Sequence, residues 1–128
     1  MRRKVILFVL LSLLGLLLAA CADEGDPGDA VEAYLRAKVE ADADELVSLS
    51  CRAWEAQAGQ EAASFQSVSA ELQDMSCERR GEDGDYTLVT CTGLIVAEYR
   101  GEERELPLSD TTYRTIEEDG EWRVCGEQ

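Results

Sequence analysis

An apolar segment at the start of the chain limits which residues can belong to a folded domain. Residues 1–4 begin with Met and are cationic, Val5 to Leu18 are almost entirely apolar, and two alanines follow. This order is typical of a secretory signal peptide that is cleaved after export. The apolar run is shorter than the roughly 20 residues of a spanning helix, and acidic residues rather than cations follow it. We therefore exclude residues 1–20 from the fold.

A cysteine follows this segment directly. The stretch Leu18, Ala19, Ala20 and Cys21 resembles the lipobox of bacterial lipoproteins, in which cleavage leaves a cysteine that carries a diacylglycerol and fatty acids such as palmitate. Two acyl chains give the stable membrane anchoring that one chain does not. The resemblance implies lipidation at Cys21, an acidic tether over residues 21–27 and a single domain over residues 28–128. The alternative is an ordinary signal cleaved near Ala20, which leaves a free thiol.

The residue after Cys21 bears on which membrane would hold the protein. In lipoproteins of bacteria with two membranes, an aspartate at this place commonly signals retention in the inner membrane, and here it is Ala22. The resemblance therefore implies a cell-envelope protein at the outer membrane of such a bacterium. In a bacterium with a single membrane, it implies the outer face of the cell membrane.

The domain is strongly acidic. Removal of Arg2, Arg3 and Lys4 with the signal changes the formal charge from −15 to −18. Such a surface repels phosphates, which argues against nucleic-acid binding. A solvated acidic surface is the simplest interpretation, and cationic partners or loosely held divalent ions are the alternatives.

Four further cysteines predict a disulfide framework. Cys51, Cys77, Cys91 and Cys125 form an even set in an exported segment, and three pairings are possible. The sequence has no CxxC unit and no histidine, which argues against zinc ligation. We expect Cys77 to pair with Cys91, which closes a loop of about 15 residues worth roughly 3 kcal/mol. Cys51 would then pair with Cys125 and join a helical region to the last strand.

Helical spacing of apolar residues predicts three helices in the first half of the domain. The first follows Asp26-Pro27, and the second begins at Asp42, three residues before Glu45 as in a capping box. The third is a short alanine-rich helix near Trp54 that Gly59 weakens. The predicted buried positions of the first two helices are Val31, Tyr34, Leu35, Val39, Leu46, Leu49 and Ala53.

After Phe65 the apolar pattern becomes that of strands separated by turns rich in glycine and acids. The pattern predicts four strands: Val68 to Arg79, Tyr86 to Tyr99, Arg104 to Ile116, and Trp122 to Cys125.

The turns between these strands carry glycine. We expect a turn at Gly81-Glu82-Asp83-Gly84, a tight hairpin at Arg100-Gly101, and a bulged turn at Glu118-Asp119-Gly120. The bulged turn places Ile116 opposite Trp122, whereas a two-residue Asp-Gly turn places it opposite Arg123. We prefer the first register because it pairs two apolar residues.

Helices followed by a meandering sheet predict an α+β fold, with N-terminal helices packed on a curved antiparallel four-stranded sheet. This order resembles the nuclear transport factor 2-like (NTF2-like) domains and the small bacterial lipoproteins built on that cone. The matching stretches are Ala30-Val31-Glu32-Ala33-Tyr34-Leu35 and Glu118-Asp119-Gly120-Glu121-Trp122-Arg123-Val124-Cys125. The resemblance covers nearly all of residues 28–126. Cystatin-like and other domains with helices and a meander give the same pattern.

The resemblance implies a cavity, and some relatives, the ketosteroid isomerases and scytalone dehydratases, are enzymes. By position, the candidate cavity residues are Tyr34 on the first helix and Asp110 on the third strand. No third carboxylate occupies a matching position, and the chain has no histidine to act as a base. We therefore expect Tyr34 to pack on the sheet and Asp110 to face solvent or to begin a bend after Pro107.

Other patterns of residues favour structure over chemistry. The serines lack an activating histidine or a GxSxG elbow, and residues 82–85 lack the spacing of a calcium loop. Arg79-Arg80 is interpreted as strand-edge charge. No cofactor, metal or catalytic residue is predicted.

Two hypotheses follow from the sequence. The first is a lipid-anchored, non-catalytic domain that binds a small molecule in an apolar cavity with few charges, or an envelope protein on its exposed sheet face. The alternative is a small isomerase or dehydratase whose cavity holds convergent carboxyl and hydroxyl groups. The strands offer apolar residues and no clear polar cluster, which favours the first. Homodimerisation through the sheet is common for this fold, and the sequence leaves it open.

Overall fold

The computed structural model describes residues 25–128, so the predicted signal peptide, its cleavage site, Cys21 and most of the tether lie outside the described residues. Three helices precede five strands, which confirms the α+β order. None of the helices in this range is long and apolar enough to cross a membrane. The elements are α1 (Pro27–Val39), α2 (Ala43–Ser48), α3 (Glu55–Phe65), β1 (Ser69–Asp83), β2 (Tyr86–Tyr99), β3 (Glu102–Pro107), β4 (Thr112–Glu118) and β5 (Glu121–Glu127).

The first two helices begin at the predicted capping residues. The Asp26 carboxylate accepts a hydrogen bond from the Gly28 N–H at 2.7 Å, and Asp42 accepts one from the Glu45 N–H at 3.1 Å. Each satisfies a backbone donor that the helix itself leaves without a partner. Leu46 is buried as expected, whereas Ala53 is exposed in the connection between α2 and α3.

The sheet is antiparallel and its strands run in the order β1-β2-β4-β5, with β3 also paired to β2. Successive parts of β2 pair with β3 and β4, which meet at a 3-10 turn over Leu108–Asp110. The prediction of one strand from Arg104 to Ile116 in a four-stranded sheet is therefore wrong. Pro107 ends β3, because proline has no N–H to continue the ladder.

The turn between β4 and β5 consists of two residues. Asp119 and Gly120 have φ values of 56° and 79°, the left-handed conformation of a type I′ turn that matches strand twist. In the resulting register Ile116 faces Arg123, so the preferred pairing of Ile116 with Trp122 is wrong. Turn geometry outweighs the gain from pairing two apolar residues.

The predicted tight hairpin at Arg100-Gly101 is confirmed, with Tyr99 opposite Glu102. The expected four-residue turn at 81–84 is wrong in its extent. β1 continues to Asp83, which pairs with Tyr86, so Gly84 and Asp85 alone form the connection.

A bulge bends β1 and β2 near their middle. Asp74 and Gly93 adopt positive φ values of 51° and 101°, and the pairing shifts between Gln73 and Ser76. A Cβ atom on Gly93 would lie 2.5 Å from the Gln73 carbonyl oxygen, so this close approach requires glycine. Bulges increase twist and bend a strand. This one contributes to the curved sheet on which the helices pack.

Both predicted disulfides are present. Cys77 and Cys91 lie directly opposite each other on β1 and β2 with Cα atoms 4.1 Å apart, the short spacing of a pair that does not exchange backbone hydrogen bonds. The Cys77 N–H points away from β2 and donates to the Glu32 carboxylate of α1 at 3.1 Å. This disulfide therefore lies where α1 contacts the edge strand.

The disulfide between Cys51 and Cys125 joins the α2–α3 connection to β5. Backbone hydrogen bonds beside it link Val124 to Leu49 and Cys51 at 2.9 and 2.8 Å, so the connection covers the outer edge of β5. The loop closed by this disulfide spans 74 residue steps, which the chain-entropy relation values at about 4.5 kcal/mol. One edge of the sheet is thus held both covalently and by pairing.

The core lies between α1, the other helices and one face of the sheet. Val31, Tyr34 and Leu35 on α1 are fully buried, as predicted from their spacing. They share one buried cluster with Val89 of β2 and Val124 of β5. The α1 helix is thereby fixed against the sheet, and its last turn reaches the region described next.

Candidate functional site

A cavity of about 360 Å³ lies between the last turn of α1, the α3 helix and the sheet. Five lining residues are apolar: Phe65, Ile95, Leu106, Pro107 and Leu108. Six are polar or charged: Lys38, Glu61, Asp110, Thr111, Tyr113 and Glu127. The lining of the cavity is therefore amphipathic and includes three carboxylates.

Lys38 is the central charge of the polar side. Its Nζ lies 2.8 Å from Glu61 Oε2 and 3.0 Å from Glu127 Oε1. Only 8 % of Lys38 is exposed, whereas each of the two carboxylate side chains keeps 21 % exposure. A buried ammonium needs such partners, because burial without them would be very costly. The charge of Lys38 is thus paired with two carboxylates of the protein, and the carboxylates are more accessible to solvent than the ammonium group.

The ion pairs shift the pKa values in the directions that maintain both charges. Burial disfavours the charged form of Lys38, but the Glu127 carboxylate and the hydrogen bonds to both glutamates outweigh it and raise the pKa of the lysine. Burial likewise opposes ionisation of Glu61, and its hydrogen bond and charge interaction with Lys38 lower the pKa of that carboxyl. Lys38 and Glu61 are therefore both charged at neutral pH.

Two buried tyrosines, Tyr34 and Tyr113, lie near these charged groups. Burial raises the pKa of Tyr113 above its ordinary value, and the Glu127 carboxylate adds to the effect. Burial also raises the pKa of Tyr34, against the hydrogen bond that the Trp54 indole N–H donates to its hydroxyl oxygen at 3.1 Å. Both hydroxyls therefore stay neutral, and only that of Tyr113 belongs to a residue that lines the cavity.

Local structure explains how the cluster is assembled. Lys38 follows Val31, Tyr34 and Leu35 at helical spacing, so it lies on the buried face of α1. Glu61 and Phe65 are one turn apart on α3, so they lie on the same face of that helix and both line the cavity. Glu127 lies opposite Tyr113 on the neighbouring strand. Three separate elements thus converge on one ammonium group.

The two candidates from the sequence have different positions. Asp110 ends the 3-10 turn, is exposed and lines the cavity, so its predicted place on a strand is wrong. Tyr34 is fully buried and lies outside the lining, as expected for a packing residue. The turn forms because the chain must step from β3 to β4 after Pro107.

The expectation of a cavity with few charges is also wrong. Sequence reasoning missed Lys38, Glu61, Tyr113 and Glu127. One signal was available, since a lysine at a buried position of the helical stripe needs a counter-charge. The partners themselves lie 23 and 89 residues away in sequence, and no local pattern identifies them.

The remaining charged patterns form no competing site. Among residues 25–128 there is no group of three or more metal-ligating side chains placed to hold an ion. Asp83 ends β1, and the acidic stretch around it forms a hairpin. Arg79 lies on edge strand β1, as predicted for edge charge, with its guanidinium 5.8 Å from the centre of the Trp122 ring.

Comparisons with known proteins show the fold and no function. No family model and no curated protein matches the chain. A solved structure, a SEC-C motif containing protein from Rhodopseudomonas palustris, matches with a TM-score of 0.55 and 15% sequence identity. The match covers 89% of this chain and 86% of that one. At this identity the similarity shows that the two chains share an arrangement of helices and strands.

Proposed function

We propose that the protein is an exported, lipid-anchored domain of the cell envelope that binds a small molecule in the cavity beside Lys38 without catalysing a reaction. The amphipathic cavity is the observation on which the binding function depends. Export and anchoring depend on the lipobox-like stretch ending at Cys21. The two disulfides support an oxidising compartment, since such bonds persist outside the cytosol.

The cavity has the properties of a ligand site. Its volume of about 360 Å³ lies at the lower end of the range for such sites, roughly 300–1,000 Å³. Leu106 lines it and keeps 46% exposure, so a large apolar side chain is left uncovered at the wall. Six of the eleven lining residues are polar or charged, a larger share than in a usual small-molecule pocket, which favours a ligand with a polar group as well as an apolar one.

The ionisation of the cluster supports binding over catalysis. A general acid or base works best with a pKa near the operating pH, which for a carboxyl requires an upward shift. The pKa of Glu61 shifts downward instead, and that of Lys38 shifts upward, so neither exchanges protons readily near neutrality. The Tyr34 hydroxyl is buried beneath the cavity. The isomerase or dehydratase alternative therefore lacks a poised proton carrier among these residues.

The finer NTF2-like assignment belongs to the same proposal. Helices packed on a curved five-stranded sheet, with a cavity at one end of α1, support it. The proposal leaves the outer sheet face as a second surface, where an envelope protein or another copy of the chain could bind.

Native mass spectrometry of the full chain, extracted from membranes in mild detergent without reduction, tests the binding function. We expect an adduct that is lost on denaturation. Leu106→Trp fills the cavity wall and should abolish the adduct. Tyr99→Trp, at the other end of the same hairpin and 43% exposed, is the matched control and should retain it. A bare monomer from every variant would count against small-molecule binding, and a bare dimer would favour the sheet surface.

Anchoring is tested separately with Cys21→Ser. The unmodified chain should fractionate with membranes and yield an N-terminal peptide whose mass includes a diacylglycerol. The variant should lose that added mass. An unmodified Cys21 peptide from the original chain would refute anchoring and leave the binding proposal unaffected.

A further inference from the structure

The accessible charge of the cavity is negative. Lys38 is nearly buried and its ammonium is bound by two carboxylates. Glu61 and Glu127 remain partly exposed, and Asp110 is exposed at the rim. The described lining carries one formal positive charge, at Lys38, and three formal negative charges, at Glu61, Asp110 and Glu127, which gives an excess of two negative charges. An entering ligand therefore meets carboxylates before it meets the ammonium.

These carboxylates do not form a compact metal site. Glu61 and Glu127 both contact Lys38, and the described residues contain no group of three ligating side chains placed to hold an ion. A bare metal ion therefore lacks a built set of ligands here. An organic ammonium or guanidinium group needs no such set, because each of its N–H donors can form a charge-assisted hydrogen bond with a single carboxylate.

The apolar lining residues suit an apolar body attached to such a head group. Phe65 lies one helical turn from Glu61 and lines the same cavity, so an aromatic ring is positioned near the carboxylate. Ile95, Leu106 and Leu108 extend the apolar surface from the sheet side. A cation near an aromatic face gains a further attraction, of about 0.5–2 kcal/mol in general.

We propose that the cavity binds a small amphipathic organic cation, with its charged head group at Asp110, Glu127 and Glu61 and its apolar body against Phe65 and Leu106. This inference rests on the proposed binding function and specifies its ligand class. An anion would meet the excess negative charge, because Lys38 is already neutralised by its partners. A neutral ligand would contact the apolar lining and leave the excess of two negative charges uncompensated.

Three probes of similar size and different charge test the inference: phenethylammonium, phenethyl alcohol and phenylacetate. Each is titrated into the full chain in neutral detergent, and binding is followed through the ¹³C-methyl resonances of Ile95, Leu106 and Leu108. This readout reports on the cavity itself and is insensitive to probe dissolved in detergent. We expect phenethylammonium to bind at least about tenfold more tightly than the alcohol, and phenylacetate to cause no saturable shift.

Two substitutions assign the effect to the cavity. Asp110→Asn removes the rim carboxylate and should weaken the cation several-fold while leaving the alcohol unchanged. Glu105→Gln removes an exposed carboxylate on the same hairpin outside the cavity and should leave both affinities unchanged. If both substitutions weakened the cation equally, the effect would reflect the general acidity of the surface.

The failures of the two proposals are distinguishable. Equal affinities for the cation and the alcohol, with Asp110→Asn silent, would overturn the ligand class and leave small-molecule binding in place. Tighter binding of phenylacetate would also overturn it and would identify Lys38 as the ligand-binding charge. No methyl shift with any probe would overturn the binding proposal itself.

Discussion

Replacement of Lys38 by methionine tests whether its ion pairs hold the helices to the last strand. The substitution keeps most of the side-chain volume and removes the ammonium that lies 2.8 and 3.0 Å from two carboxylates. Removing one partner of a buried ion pair typically costs about 3–5 kcal/mol. Because the glutamates keep 21 % exposure and can recover some hydration, we expect a loss near the lower end, about 3 kcal/mol.

The pH dependence separates this mechanism from lost packing. The lowered pKa of Glu61 contributes stability that is present above its ordinary value of 4.5 and is lost as the pH falls through the lower folded value. The raised pKa of Lys38 contributes stability below its ordinary value of 10.5 that is lost as the pH rises through the higher folded value. In Lys38→Met, the two glutamates have no counter-charge, and their protonation in acid should relieve repulsion. The destabilisation should therefore shrink as the pH falls from 7 toward 4.

Urea unfolding of the full chain in neutral detergent, followed by tryptophan fluorescence at several pH values, measures these differences. Urea is preferred because guanidinium is itself a cation. Arg36→Met is the matched control, since Arg36 lies on the same helix and pairs with Glu32 while 56% exposed. It should cost roughly 0–1 kcal/mol. The reasoning would be refuted if Lys38→Met lowered the free energy of unfolding by no more than Arg36→Met does, or if the loss did not vary between pH 7 and pH 4.

Three further substitutions test local features by urea unfolding. Gly93→Ala should lower the free energy of unfolding by about 1–3 kcal/mol, because Gly93 has a positive φ and a close backbone contact. Gly81→Ala, with open space at its Cβ, should leave the free energy of unfolding nearly unchanged, and equal effects of the two would contradict this account. Asp42→Ala removes the cap of α2 and should cost about 1 kcal/mol, and Asp42→Asn should restore most of it. Tyr34→Phe leaves the Trp54 N–H without its acceptor and should cost about 1–2 kcal/mol, with a changed Trp54 emission.

Local chemistry explains which parts of the fold were predictable. Asp26 and Asp42 initiate helices through hydrogen bonds to nearby N–H groups, so their signals lie within a few residues of the effect. The Arg100-Gly101 turn is predictable for the same reason. The disulfide pairing was predicted from the short loop that Cys77 and Cys91 close, which leaves Cys51 to pair with Cys125, and it is confirmed.

The errors occurred where distant parts of the chain decide the outcome. The split of the predicted strand at Pro107 depends on β2 being long enough to pair with two successive strands. The register at Ile116 is the exception, because the local Asp119-Gly120 turn decides it and the preference for an apolar pair was the wrong criterion. The cavity charges escaped prediction because Glu127 is brought to Lys38 only when β5 pairs with β4. Helical spacing shows that Lys38 is buried but does not show its partners.

The positions of the tether and the cavity make a final prediction about orientation. The described residues begin at Gly25, and a Cβ atom built on Gly25 would lie 3.9 Å from the Trp122 side chain. Lys38 lies at the other end of α1, roughly 18 Å from Asp26 at 1.5 Å per residue. An extended tether from Cys21 reaches at most about 14 Å. If Cys21 is lipidated, Trp122 is held near the bilayer surface and the cavity beside Lys38 lies at the end of α1 far from the anchor. In liposomes with nitroxide-labelled headgroups, fluorescence of Trp54→Phe should be quenched more strongly than that of Trp122→Phe. Equal or reversed quenching would exclude this orientation.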